Sequence, residues 1–147
     1  MIEKSGVILI AENDQDDRLF IKLAFEQSSQ KHRIMFVADG EDLHQYLNLE
    51  PPYTSRANAP YPDLILLDLN MPNMDGREAL RQLKAHPKHC SIPVIMLSTS
   101  QNTSDIDLCY QMGANSFIVK PNLFDDFAKI VKMLDLYWFQ TVELPDS

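Results

Sequence analysis

The 147-residue chain is poor in several things that would each point to a class of protein. It has two cysteines, Cys90 and Cys109, too few for a disulfide framework, so reduced thiols in a cytoplasmic setting are the simpler expectation. Only four glycines occur, and no Gly-rich phosphate loop follows the first apolar run. Basic residues are outnumbered, 13 Lys and Arg against 21 Asp and Glu, a net charge of −8 that disfavours a nucleic-acid backbone as ligand. No uninterrupted apolar run is long enough to span a bilayer, so no membrane association is expected. The start, Met1-Ile2-Glu3-Lys4, does not read as a signal peptide, because the apolar stretch after it runs straight into acid.

What the chain does have is alternation. Val7–Ala11, Ile34–Ala38, Leu64–Leu67, Val94–Leu97 and Phe117–Val119 are short apolar runs without polar alternation, the pattern of strands covered on both faces. Between them lie amphipathic stretches. Asp14 opens the first, with Asp17 in a box-like position and Leu19, Phe20, Leu23 and Ala24 as its apolar face. The second follows Gly40 and carries Leu43, Tyr46 and Leu47; the third runs from Glu78 to Ala85. The fourth, Thr103 to Met112, is closed by Gly113, and the last extends from Leu123 to about Gln140. Residues 48–61, with Pro51, Pro52 and Pro60, read as an extended loop. Five β–α units in a row predict an α/β fold, a doubly wound parallel sheet with helices on both faces.

In such sheets ligands gather beyond the carboxyl ends of the strands. The residues there are Glu12-Asn13-Asp14, Asp68, Ser98-Thr99 and Lys120. Clustered acids call for a cation, and oxygen-only donors suit Mg²⁺. A metal and an ammonium together stabilise charge on a transferring phosphoryl group, with Asp68 as the nucleophile. The plainer readings are that Asp68 caps a turn and that Asp14 caps a helix. His86, His89 and Cys90 cluster loosely, but Pro87 breaks helical spacing, so a metal site there is not expected.

The stretches Ile8–Glu12, Asp63–Gly76, Ile92–Ser98 and Gly113–Pro121 resemble a two-component response-regulator receiver domain, above all in the string Asp68-Leu69-Asn70-Met71-Pro72-Asn73-Met74-Asp75-Gly76. The proline-bearing loop and the tail after Tyr137 are further similar to the stand-alone regulators associated with phytochrome-type kinases. The resemblance implies a flavodoxin-like sheet of order 2-1-3-4-5, with residues 1–140 forming the receiver, 141–147 a tail, and no output domain. It makes Asp68 the phosphoacceptor, Ser98 and Lys120 the phosphoryl-binding residues, and Phe117 an aromatic switch. Mg²⁺ would be held by Glu12, Asn13, Asp68 and the backbone carbonyl of Asn70. The family usually carries two consecutive acids after strand one; Asn13 replaces the second, so weak Mg²⁺ binding is expected.

The function implied is a response regulator of a two-component phosphorelay, a phosphoacceptor switch and not an enzyme. A sensor histidine kinase of phytochrome type would donate the group, and output would pass to a downstream protein or phosphotransfer partner. The alternative is a pseudo-receiver that binds without being phosphorylated. A haloacid dehalogenase-type hydrolase would want an Asp where Asn70 stands. Along the last helix Phe127, Val131, Leu134 and Trp138 form one stripe, and Ile130, Met133 and Tyr137 a second. The second is expected to be an interaction surface, and the resemblance adds homodimer pairing through the last two helices.

Overall fold

The computed structural model describes residues 5–28 and 31–146; Met1–Lys4 and Ser147 at the end of the tail lie outside the described residues. The five apolar runs pair as parallel strands β1 (Val7–Ala11), β2 (Arg33–Val37), β3 (Leu64–Asp68), β4 (Val94–Ser98) and β5 (Ser116–Val119), in the order β2-β1-β3-β4-β5. β3 and β4 are buried throughout, as expected for central strands covered on both sides. β2 starts and ends one residue earlier than its apolar run suggests, because Arg33 pairs with Val7 at the sheet's margin.

Five helices cover the sheet: α1 (Gln15–Gln27), α2 (Gly40–Asn48), α3 (Gly76–Ala85), α4 (Thr103–Gln111) and α5 (Phe124–Leu134). Ile8, Ile10, Leu64, Leu66, Ile95 and Leu97 pack with α1 and α5 on one face. Leu9, Ala11, Ile65, Leu67, Val94 and Met96 pack with α2, α3 and α4 on the other. Asp14, Asp39, Asp75 and Asn102 cap the first four helices, each accepting a backbone N–H of the first turn. The Asp75 cap starts α3 two residues before Glu78. Gly76 is needed there for space, since a Cβ would collide with the carbonyl oxygen of Asp68.

Two helix faces differ from the expected ones. On α1 the buried residues are Ile21, Ala24 and Phe25, while Leu19 and Leu23 are exposed. The apolar residues of α1 wrap more than half its circumference, and the rings of Phe20, Phe124 and Phe127, 6.0–6.3 Å apart between centroids, fix which part faces α5. At the other end of the chain the regular helix stops at Leu134, and Asp135–Phe139 form a π-helical turn, with the N–H of Gln140 donating to the Asp135 carbonyl at 3.2 Å. The wider turn advances the phase by one residue, so Phe139 is buried and Trp138 is only half-buried. Ile130 packs against the core, which leaves Met133, Leu136 and Tyr137 exposed.

Phe139 lies over Gly6 and against His32, ring centroids 4.2 Å apart. His32 accepts the Gly6 N–H at Nδ1 (3.0 Å), and its Nε2 is 2.6 Å from Asp135 Oδ1. A backbone N–H can only donate, so the proton of the neutral ring sits on Nε2 and points at Asp135. The 48–61 loop is tied down too: Tyr46 donates its hydroxyl to the Pro60 carbonyl (2.7 Å), and Arg56 donates to the carbonyls of Tyr46, Leu47 and Ala59.

Candidate functional site

Strand alternation sorts the residues at the sheet's carboxyl end. Ile8 and Ile10, Leu64 and Leu66, and Ile118 face α1 and α5. Continuing the two-residue period, Glu12, Asp68 and Lys120 fall on that same side. The register sets them abreast, with Ala11 opposite Leu67 and Asp68 opposite Leu97. Val94 and Met96 face α2–α4, and so does Ser98 at the end of β4, together with Phe117 on the neighbouring strand opposite Met96.

Lys120 is the hub. Its Nζ lies 2.6 Å from Glu12 Oε1, 2.8 Å from Asp17 Oδ2 and 3.4 Å from Asp68 Oδ2, with the lysine side chain only 6% exposed. Burial alone would lower the lysine's pKa, but the hydrogen bond to Asp17, the ion pair with Glu12 and the charge of Asp68 outweigh it and hold the ammonium protonated. Glu12 is 1% exposed, and burial pushes its carboxyl up to about 7 against the pull of Lys120, with the Asp68 charge adding to the rise. Glu12 Oε2 accepts the N–H of Asp14 at 3.1 Å, whereas the contact of Oε1 with Lys120 is a close ion pair without the direction of a hydrogen bond.

Asp68 is buried, and its Oδ1 accepts the N–H of Asn70 at 3.3 Å, so the loop after β3 folds back over the carboxylate. Ser98 is fully buried and its Oγ accepts the N–H of Ser100 at 3.1 Å. Ser100 in turn donates to Asp105 (2.8 Å), which Arg77 of α3 also reaches (3.1 Å). Phe117 is half-buried against the α2–α4 side, and its N–H donates to the hydroxyl of the exposed Tyr110 at 3.1 Å.

The donor set fits a hard cation. Glu12 and Asp68 bring two buried carboxylates to the same end of the sheet, with the Asn70 loop beside Asp68. Asn13, next to Glu12 in the chain, is exposed. Among the described residues no three Asp, Glu, His or Cys side chains gather as a metal cluster, here or elsewhere. That includes His86 and His89, whose rings stack at 3.9 Å; His89 is occupied by the Tyr61 hydroxyl (2.7 Å) and Asn48 (3.1 Å).

Three contacts were not anticipated from the sequence. Asp17 reaches Lys120 instead of closing a capping box. Arg18 donates Nε to the Glu12 carbonyl at 2.6 Å. Asn73, at φ 61°, donates to Asp39 at 2.7 Å and so joins the loop after β3 to the cap of α2. The Asp14–Asp17 spacing pointed to α1's first turn, but nothing local pointed to a lysine 103 residues away.

A doubly wound sheet with a buried aspartate, an ammonium and a hydroxyl at its carboxyl end defines a phosphoacceptor-type signalling module, and the chain belongs to the response regulator receiver domain family, which matches residues 8–133. It is similar to the response regulator Rcp1 of Synechocystis sp., 34% identical over 95% of this chain and 92% of that protein. Among solved structures it is similar to the phosphorylated cyanobacterial phytochrome response regulator RcpA, 38% identical, covering 97% of this chain and all of that one, with a TM-score of 0.88. The Mn²⁺-bound form of Rcp1 superposes with a TM-score of 0.85 at 34% identity, over 95% of this chain and 99% of that one. The receiver fold and a place in two-component signalling follow from these matches.

Proposed function

We propose that Asp68 accepts a phosphoryl group from the phosphohistidine of a sensor kinase and that residues 1–140 act as the receiver of a phosphorylation switch. The observation that carries the reading is the placement of buried Asp68 beside Lys120, at 3.4 Å, with Glu12 and the Asn70 loop around it. An Asp68 carboxylate oxygen attacks phosphorus, a P–O bond forms, the P–N bond to the donor imidazole breaks, and the imidazole leaves neutral after taking up a proton. Lys120 pairs with a phosphoryl oxygen, and Ser98 donates its hydroxyl to another. Mg²⁺ held by Glu12, Asp68, Asn13 and the Asn70 carbonyl would neutralise charge on the transferring group. Turning toward the phosphoryl group, Ser98 gives up the Ser100 N–H and opens space on the α2–α4 side for Phe117.

On this reading the chain is a phosphoacceptor and not an enzyme, and it meets its kinase in the cytoplasm. The phytochrome association in the name of RcpA supports a phytochrome-type kinase as donor. Exposed Leu108 and Tyr110 of α4 and Met133 and Tyr137 near the end of α5 support output through protein contact, with a second copy or with a downstream or phosphotransfer partner. The pseudo-receiver reading is favoured by one observation, that Asn13 leaves the proposed metal donors with two carboxylates, Glu12 and Asp68, and not three. Incubation with acetyl phosphate and Mg²⁺ should add the mass of one phosphoryl group to the wild type and none to Asp68→Asn. A wild type that gains nothing supports the pseudo-receiver, and a mutant that gains equally moves the acceptor elsewhere.

A further inference from the structure

Lys120 is shared unequally. Its two shortest contacts are to Glu12 and Asp17, and Asp68 is the farthest of the three. Asp17 is not held in this pose by a duty to its helix. The Asp14 N–H, which a capping box would give to Asp17, is taken by Glu12 Oε2, and the Asp14 side chain already caps the Asp17 N–H at 3.0 Å. The two counter-ions of the lysine also differ in exposure: Glu12 is 1% exposed, whereas the Asp17 side chain is 27% exposed. A lysine leaving Glu12 strands a buried carboxylate; a lysine leaving Asp17 lets water replace it at small cost.

We propose that Asp17 is a positioning residue that holds Lys120 back from Asp68 in the resting state and releases it to the phosphoryl group. The inference rests on the reading of Asp68 as phosphoacceptor. A phosphoryl group brings additional negative charge and strong acceptor oxygens. Lys120 then exchanges Asp17 for a phosphoryl oxygen while keeping Glu12, and Asp17 turns to solvent. Asp17 therefore opposes phosphoryl binding by competing for its cation, so the resting pose is favoured until the group is in place.

The test is a titration of the full chain with beryllofluoride, a phosphoryl mimic, in saturating Mg²⁺, read by ¹⁹F NMR. Asp17→Asn should bind about fivefold more tightly than wild type, the scale of a partly exposed ion pair. Asp17→Glu, which restores the charge, should return toward wild type. Asp16→Asn removes the same charge from the same helix turn without touching Lys120, and should gain clearly less. A merely structural role would weaken binding in Asp17→Asn, the opposite sign. Equal or weaker binding in Asp17→Asn overturns the inference, and so does an equal gain in Asp16→Asn, which would make the effect one of net charge. Wild type that binds no beryllofluoride at all removes the phosphoacceptor reading and this inference with it, whereas binding with unchanged affinity removes the inference alone.

Discussion

On the proposed function, a cation and a proton compete for Glu12. Its carboxyl is pushed up to about 7 by burial, so near neutral pH it is only partly ionised, and a divalent cation must displace the proton. Mg²⁺ affinity should therefore increase about tenfold between pH 6 and pH 8, following the ionised fraction of one group. A flat profile would show that Glu12 is already ionised or is no ligand. Asn13→Asp adds an anionic donor next to Glu12 in the chain and should tighten Mg²⁺ by roughly tenfold, whereas identical titration curves would put position 13 outside the metal shell. At this scale the sequence was informative where chemistry follows strand ends. Glu12, Asp68, Ser98 and Lys120 are each the residue just past or at the end of an apolar run, and the two-residue period even assigns them to faces. Asp17 was opaque because its capping spacing already offered a sufficient local reason for an acid, and its partner arrives from the far end of the chain.

Elements obeyed their hydrophobic patterns until a turn changed period. Extrapolating the spacing of Phe127, Val131 and Leu134 places Trp138 inside, but the π-helical turn steps five residues from Leu134 and buries Phe139 in its place. Such a turn is accompanied by contacts from elsewhere, here His32 on Asp135 and Gly6 against Phe139, and no short-range signal announces it. Phe139→Ala should destabilise the protein by about 3–4 kcal/mol, and Trp138→Ala by about half that or less, since large-to-small cost follows burial. Equilibrium denaturation of the two variants decides the matter; a larger loss at Trp138 would restore the regular helix. The exposed Leu19 and Leu23 have a similar origin: α1 offers more apolar circumference than the sheet can cover, and the Phe20–Phe127 ring contact selects the arc that is used.

For the molecule as a whole, the exposed apolar side chains on α4 and at the end of α5 are the surfaces proposed for association. Tyr137 is 51% exposed and Met133 52%. Tyr137→Ala should weaken self-association, with the larger effect in the presence of beryllofluoride, and sedimentation of both proteins with and without the mimic reports it. Identical distributions in all four samples would leave the surface to a different partner. The sheet itself has a further consequence. Lys120, Glu12, Asp68 and Asp17 stand on the α1 and α5 side, whereas Ser98, Phe117 and, through its hydroxyl, Tyr110 belong to the α2–α4 side. The five strands thus act as a bulkhead between a loading side and a reading side. On the proposed function, a donor that approached over α1 and a listener seated on α4 would not have to take turns. The length of a signal would then be set by how long the acyl phosphate survives, and not by a contest between the two proteins for one patch of surface.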